Sequence, residues 1–437
     1  MREAPQTLLK ILVDQRRWRY VDFERHFRRS ATELLDAGAR NLTVSESQYR
    51  RWTAGRVQTL PGPDACRVLE YMFGIDVATL FGPPPSDLPA PAFNLEDEID
   101  MTARDAQSEA GAAAAASISD IALDQLRDDV ATLAREYVTT PTYVVFQKAK
   151  EMRESAEANR ERTQVPAQQQ ELLIVAGQAC ALLATAAFDL GSLDGARRLS
   201  RSAALYGEAA RFDPLRAFAG GTLAYIAYFS GRPAEGVRVA RAARAFTGLG
   251  DVARRRLAAI EARAFGHLGD IASAQRALDA STADGSGRRD DLHDEVGGEF
   301  GFSPDRLAMS NASTCLLIGD GDRAERIAVQ ALDLARSRPS ATRSVRVVGG
   351  AGADLAAARL LRDDLDGAAQ ALEAMWLVPK EQRATGLLAR AARVRSGLSS
   401  SRYSQAVLAA ELGERIEDFT RQSAPRQLGA GPLAIEG

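Results

Sequence analysis

Ile318-Gly319-Asp320, followed by Ala324 and by Ala331-Leu332, is the stretch whose reading decides the fold. The same three-residue punctuation recurs at Leu190-Gly191-Ser192, Ser230-Gly231-Arg232, Leu268-Gly269-Asp270 and Arg362-Asp363-Asp364. Between the middle residues the spacings are 40, 38, 50 and 44. Seven residues before each of these anchors stands an alanine: Ala184, Ala224, Ala262, Ala312 and Ala356. Five residues after each stands Ala196, Gly236, Ala274, Ala324 or Ala368. Small residues at both offsets mark the crossing of two antiparallel helices, where only a small side chain lets the backbones approach. A period of this length belongs to stacked hairpins, each of which buries its apolar face on the next.

From about Ser119 onward the apolar pattern is helical almost without interruption. The short β-branched and aromatic run Tyr143-Val144-Val145-Phe146 sits inside a helical pattern, so the whole chain reads as all-α. The 50-residue spacing carries extra residues, matched by a Gly- and Asp-rich insert from Ser281 to Ser303 that includes Gly297-Gly298-Glu299-Phe300-Gly301-Phe302.

The small-residue skeleton resembles that of TPR repeats over residues 168–378, with flanking or capping hairpins at 120–161 and 380–420. The resemblance implies a TPR-like α-solenoid over residues 119–420, its groove lined by the first helix of each hairpin. Its groove positions fall on Gln178, Phe218, Tyr225, Tyr228, Phe229, Arg256, Arg263, His267 and Arg306, with Thr185, Met309 and Ser313 beside them. Aromatic and Arg side chains on one concave surface suit a peptide or small ligand that carries a carboxylate.

The first 82 residues differ in charge. Residues 16–56 hold ten Arg against five acids, whereas residues 86–136 hold twelve acids against three Arg, in a chain of net charge -3. A compact basic face within an acidic protein points to one polyanion-binding surface. Ser45-Glu46-Ser47-Gln48 has the form of a capping box. A helix from there runs through Tyr49, Arg50, Arg51 and Trp52 to Gly55. Tyr49 and Trp52 share its inner face, which turns Glu46, Ser47, Arg50 and Arg51 outward. Helices from Leu8 to Leu12 and from Phe23 to Leu35 precede it. One capped by Asp64 and a last turn from Asp76 to Phe81 follow it.

The string Val44-Ser45-x-x-x-Tyr49-x-Arg51-Trp52-x-x-Gly55-Arg56, followed by Pro61, resembles XRE-type helix-turn-helix domains. It is most similar to those of actinobacterial regulators that carry TPR repeats. The segment from Phe23 to Val44 is longer than the helix and tight turn of that family. The resemblance implies that Ser45, Glu46, Ser47, Arg50, Arg51 and Arg56 face double-stranded DNA, as a major-groove helix does. It also implies a homodimer that engages two half-sites.

The expected layout is a helix-turn-helix domain at 1–82, a Pro-rich, acidic and Ala-rich linker at 83–118, the repeats at 119–420 and a disordered tail at 421–437. The acidic stretch from Asp87 to Glu136, with Glu96, Asp97, Glu98 and Asp100, is expected to keep the linker solvated; the alternative is that it competes with DNA for the basic face. No P-loop, GxSxG or HExxH string is present, and the three cysteines and three histidines are scattered, so neither an enzyme nor a cofactor or metal site is expected. No signal peptide or membrane span is read, and the expected place is the cytoplasm. The function expected is a transcriptional regulator whose repeat domain senses a peptide, small ligand or protein partner. The alternative is a protein–protein scaffold with an N-terminal module that does not bind DNA.

Overall fold

A computed structural model describes residues 7–16, 18–34, 42–55, 57, 59–84, 99, 102–107, 110 and 117–427. Among these residues every regular element is helical and no strand forms. The chain divides into two compact units, Met1–Gln107 and Ser108–Gly437.

The first unit contains α1 (Leu8–Gln15), α2 (Tyr20–Leu34), α3 (Glu46–Thr53), α4 (Pro63–Phe73) and α5 (Val77–Phe81). Its core is built from apolar residues at helical spacing, Leu9, Phe23, Phe27, Val68, Leu69 and Leu80, all fully buried. Gly74 and Gly55 take the left-handed conformation just beyond α4 and α3, at φ 66° and 67°. The cap of α4 differs from expectation. Gly62 is its N-cap and Pro63 its first residue, where the fixed φ and missing N–H of proline cost nothing. Asp64 instead lies in the first turn, a favourable place for a negative charge. Residues 102–107, read from composition as linker, are helical and belong to this unit, where Asp105 pairs with Arg29 at 3.1 Å. Residues 85–98, Asp100 and 111–116, which carry most of the expected linker and its four named acids, lie outside the described residues.

The second unit opens with α6 (Asp120–Glu136) and α7 (Thr142–Arg162), the latter containing the run from Tyr143 to Phe146. Five hairpins follow. They pair α8 (Pro166–Asp189) with α9 (Leu193–Ala209), and α10 (Asp213–Phe229) with α11 (Pro233–Arg244). Next come α12 (Asp251–Leu268) with α13 (Ile271–Thr282), and α14 (Pro304–Leu317) with α15 (Gly321–Arg336). The fifth pairs α16 (Val345–Leu361) with α17 (Leu365–Trp376). Then come α18 (Thr385–Leu398), α19 (Val407–Arg421) and the turn α20 (Ala424–Gln427). Residues 421–427, expected in the tail, thus include the end of α19 and a helical turn, with Ser423 and Ala424 buried. Residues 428–437 are outside the described set.

All five turn anchors have positive φ: Gly191 86°, Gly231 72°, Gly269 72°, Gly319 77° and Asp363 64°. At each, the next residue donates its N–H five residues back, to Ala187, Ala227, Phe265, Cys315 and Arg359, at 2.8–3.1 Å. This is the Schellman ending, which satisfies carbonyls that a helix terminus leaves unpaired. The alanines seven before the anchors are all fully buried, and so are the alanines five after. At Gly236 a Cβ would stand 2.9 Å from the Ala224 carbonyl oxygen, so the −7 and +5 positions of that hairpin do meet at the crossing.

Helix α8 has the length and apolar composition of a membrane span, and 83% of its apolar window is buried inside the protein. Two features depart from a plain repeat array. First, the 281–303 insert folds inward. A π-helical turn, Asp291–Val296, is capped by Asp290, which also accepts the Gly250 N–H at 2.8 Å. Phe300 is fully buried against Phe218, and the Glu299 N–H donates to the Ala134 carbonyl at 2.8 Å. Second, the array closes on itself. Arg346 of α16 pairs with Asp189 of α8 at 2.6 Å and donates to the Tyr137 carbonyl at 2.7 Å. The Thr385 hydroxyl donates to the Asp189 carbonyl, and Gln382 to that of Thr139, both at 3.2 Å.

Candidate functional site

Two sites emerge, one in each unit. On the first unit, Ser45 caps α3 by accepting the Gln48 N–H, while the Gln48 side chain accepts the Ser45 N–H at 2.9 Å. Trp52 is buried between Phe27 and Phe81, with ring centres 6.2 and 6.1 Å away. Tyr49 packs on Tyr20 and Phe23. These two anchors leave Ser45, Glu46, Ser47, Arg50 and Arg51 exposed on one face. Arg50 is paired with Glu46 at 2.6 Å, whereas Arg51 has no ion pair among the described residues. Arg56 lies outside the described residues.

In the second unit the inner faces of α8, α10, α12, α14, α16 and α18 surround a cavity of about 610 Å³. Val252, Arg256, Ile260 and Arg263 form one stripe of α12 along it. Of the groove residues expected from sequence, Tyr225, Tyr228, Phe229, Arg256, Arg263 and Arg306 line this cavity, with Thr185 and Met309. Gln178, Phe218, His267 and Ser313 do not. Phe218 is buried beneath Arg256 and beside Phe300 and His293 of the insert. Gln178 is buried within α8. Ser313 donates to Asp354 at 2.5 Å. His267 is exposed near the end of α12, stacked on Tyr228 at 5.0 Å. The groove is filled at the Phe218 level because the insert shares an apolar cluster with α6, α7 and α8 there.

Sequence reasoning missed Phe188, Asp189, Glu299, Phe302, Arg338, Arg346 and Arg390, which also line the cavity. Glu299 and Phe302 belong to the insert whose composition had marked it. Gly350 stands at the same offset before Asp363 as Arg256 before Gly269, so a fifth register would have located α16. Nothing local marks Arg390, which lies beyond the last anchor.

Among the charged groups of the lining, arginines outnumber carboxylates. Arg306 forms a two-pronged pair with Glu299 at 2.8 and 2.9 Å, and Arg338 pairs with Asp305 at 3.0 Å. The Tyr137 hydroxyl donates to Asp189 at 2.9 Å, and burial raises the Asp189 carboxyl above its usual range against the pull of Arg346. Arg256 and Arg263 have no carboxylate partner among the described residues. Arg256 donates to the Phe218 carbonyl and the Thr222 hydroxyl, both at 3.2 Å, and lies 4.1 Å over the Phe218 ring. Burial pulls its guanidinium down to about 10, so it remains charged at neutral pH. Burial also lowers Arg263, which donates to the Ser310 carbonyl at 2.9 Å and keeps a buried Nε with no partner.

Among the described residues no cluster of three or more His, Cys, Asp or Glu has metal-site geometry, and Cys66, Cys180 and Cys315 are free. In comparison with known proteins, no family model and no curated protein matches the chain. Function therefore rests on the two sites themselves.

Proposed function

We propose that the chain is a DNA-binding transcriptional regulator whose helical repeat unit holds a ligand in its central cavity. The observation that carries the DNA half is the outer face of α3. A capped helix is locked from behind by Tyr49 and Trp52, and it presents two serines, the paired Arg50, and Arg51, which has no ion pair among the described residues. Such a helix suits the major groove, where short polar side chains and Arg reach base edges and flanking cations meet phosphates. Arg25 and Arg28 add exposed cations on α2. The cavity supports the sensing half: a concave, mainly apolar space with a few convergent charged groups is what small-ligand sites present. Ligand and DNA become coupled only if the ligand prefers one of two states of the chain.

In vitro selection of duplex DNA from a random pool by the full chain tests this reading. A shared sequence should be enriched, and Arg51→Ala should weaken binding to it by about 1–3 kcal/mol. No enrichment, or equal binding by both proteins, would overturn it.

A further inference from the structure

The cavity's charge and its closed ends together specify what it accepts. Asp354 is buried, and it is the carboxylate that serves both Arg390, at 2.9 Å, and Arg393, at 3.6 Å. Arg263 of α12 adds a third guanidinium whose charge acts on both of the others' surroundings. Three cations therefore surround one buried carboxylate, Arg393 reaching solvent with about 32% of its side chain exposed. Arg263 and Arg390 line the cavity, and of these two Arg263 is the one without an ion pair among the described residues; it donates to Ser310 and carries a buried Nε without an acceptor. A buried charge is normally paired, so the Arg263 guanidinium on the cavity wall favours an anion that enters the cavity.

Away from this cluster the wall is apolar and aromatic. Phe188 meets Tyr225 and Phe229 edge-on, with ring centres 4.8 and 4.9 Å away, and Ile260 and Leu387 extend that surface. The contacts of Asp189 with Arg346 and Thr385 join the two ends of the array, so the groove does not run open as a channel for an extended chain. A volume of about 610 Å³ falls within the 300–1,000 Å³ typical of small-molecule sites.

We propose that the cavity is the receptor site for a small organic acid, whose carboxylate docks on Arg263 beside Arg390 and whose apolar body lies against Phe188, Tyr225 and Phe229. The proposal deepens the ligand-binding half of the reading above, and its test needs no DNA. Loss of DNA binding would leave it standing, and its own failure would leave the DNA reading standing.

The test uses the full chain and the fluorescent aromatic sulfonate 1-anilinonaphthalene-8-sulfonate as probe. Indole-3-acetate, salicylate and octanoate compete against it, each beside its neutral amide, with phenyl phosphate as a further arm. The acids should displace the probe from a single site at least tenfold more effectively than their amides, and more effectively than the phosphate. Arg263→Met should weaken probe and acid alike by tenfold or more, while Arg263→Lys should recover part of the loss. Should Arg263→Met fail to fold, the acid–amide comparison on the unaltered chain still decides. Displacement by amides as strong as by acids, no displacement by any acid, or undiminished binding to a folded Arg263→Met chain overturns the proposal. Displacement led by phenyl phosphate would overturn the carboxylate assignment.

Discussion

Replacing Gly236 with alanine sets two effects against each other at one atom. Helix propensity alone favours the change, since alanine is better than glycine in a helix by up to about 1 kcal/mol. The hairpin crossing opposes it. The new methyl group would stand 2.9 Å from the Ala224 carbonyl oxygen and 3.4 Å from the Ala264 Cβ. That oxygen is backbone of α10, held in the helix ladder, and cannot swing aside as a side-chain tip can. Overpacking of this kind costs about 1–3 kcal/mol. The upper half of that range outweighs propensity and leaves a net loss of about 1–2 kcal/mol. Gly413 of α19 is the control, because a Cβ there meets only the outer end of the Arg395 side chain, at 3.1 Å, and a side-chain tip yields more readily than backbone. Gly413→Ala should therefore hold or gain stability, so the two variants should differ by about 2 kcal/mol. In a unit of this size, Ser108–Gly437, that separates their melting temperatures by about 3 °C. Thermal unfolding followed by circular dichroism at 222 nm reads the difference. If Gly236→Ala melts as high as Gly413→Ala, the −7 and +5 positions do not meet tightly and the crossing argument is wrong.

Three further outcomes follow from the same geometry. Ser45→Ala removes the oxygen that caps α3 and should lower the stability of the first unit by about 0.5–2 kcal/mol, read by urea unfolding; an unchanged midpoint would show that the cap is not holding the helix. Asp189→Ala strands the buried Arg346 and should cost about 3–5 kcal/mol in thermal unfolding, whereas unaltered melting would mean that the array is not held shut there. Burial keeps His293 below the ordinary imidazole range against the pull of Asp290. The unfolded chain therefore takes up that proton first, and stability should fall as pH drops through the ordinary imidazole range. Asp290 is held low by its hydrogen bonds despite burial, so further stability present at neutral pH is lost as pH falls through its depressed value. His293→Asn should flatten the upper part of that acid limb, and an identical pH profile in the variant would refute the assignment.

What the sequence made legible was local and periodic. Five turn anchors, their flanking small residues and the capping box at Ser45 each depend on residues a few positions apart, and each leaves a pattern on the chain. Tyr49 and Trp52 were readable as the buried face of α3 by the same helical spacing. The cap of α4 was misread because Asp64 is a good N-cap type, while Pro63 beside it prefers the first helical position. Closure of the array was not legible, since Arg346 and Asp189 meet across 157 residues with no period to announce them. The same holds for Asp354 and Arg390, which lie on different helices and act as a pair only after those helices pack. The insert was visible as an irregular spacing, but its inward course depends on Phe300 finding Phe218, a contact between distant residues. Those long-range contacts decide which groove positions reach the cavity and which, like Phe218, become core.

The most direct test of the account is the salt dependence of binding to a selected duplex, compared between the full chain and Arg51→Ala by fluorescence anisotropy. Phosphate neutralisation releases counterions, so the logarithm of the binding constant should fall linearly with the logarithm of salt concentration. If α3 lies on DNA with Arg51 at a phosphate, the variant should bind more weakly across sequences and its slope should be shallower by about one. If Arg51 instead reads a base, the loss should fall on the selected sequence, at about 1–3 kcal/mol, with little change in slope. Wild type and variant with the same affinity and the same slope would contradict the placement of α3 on DNA.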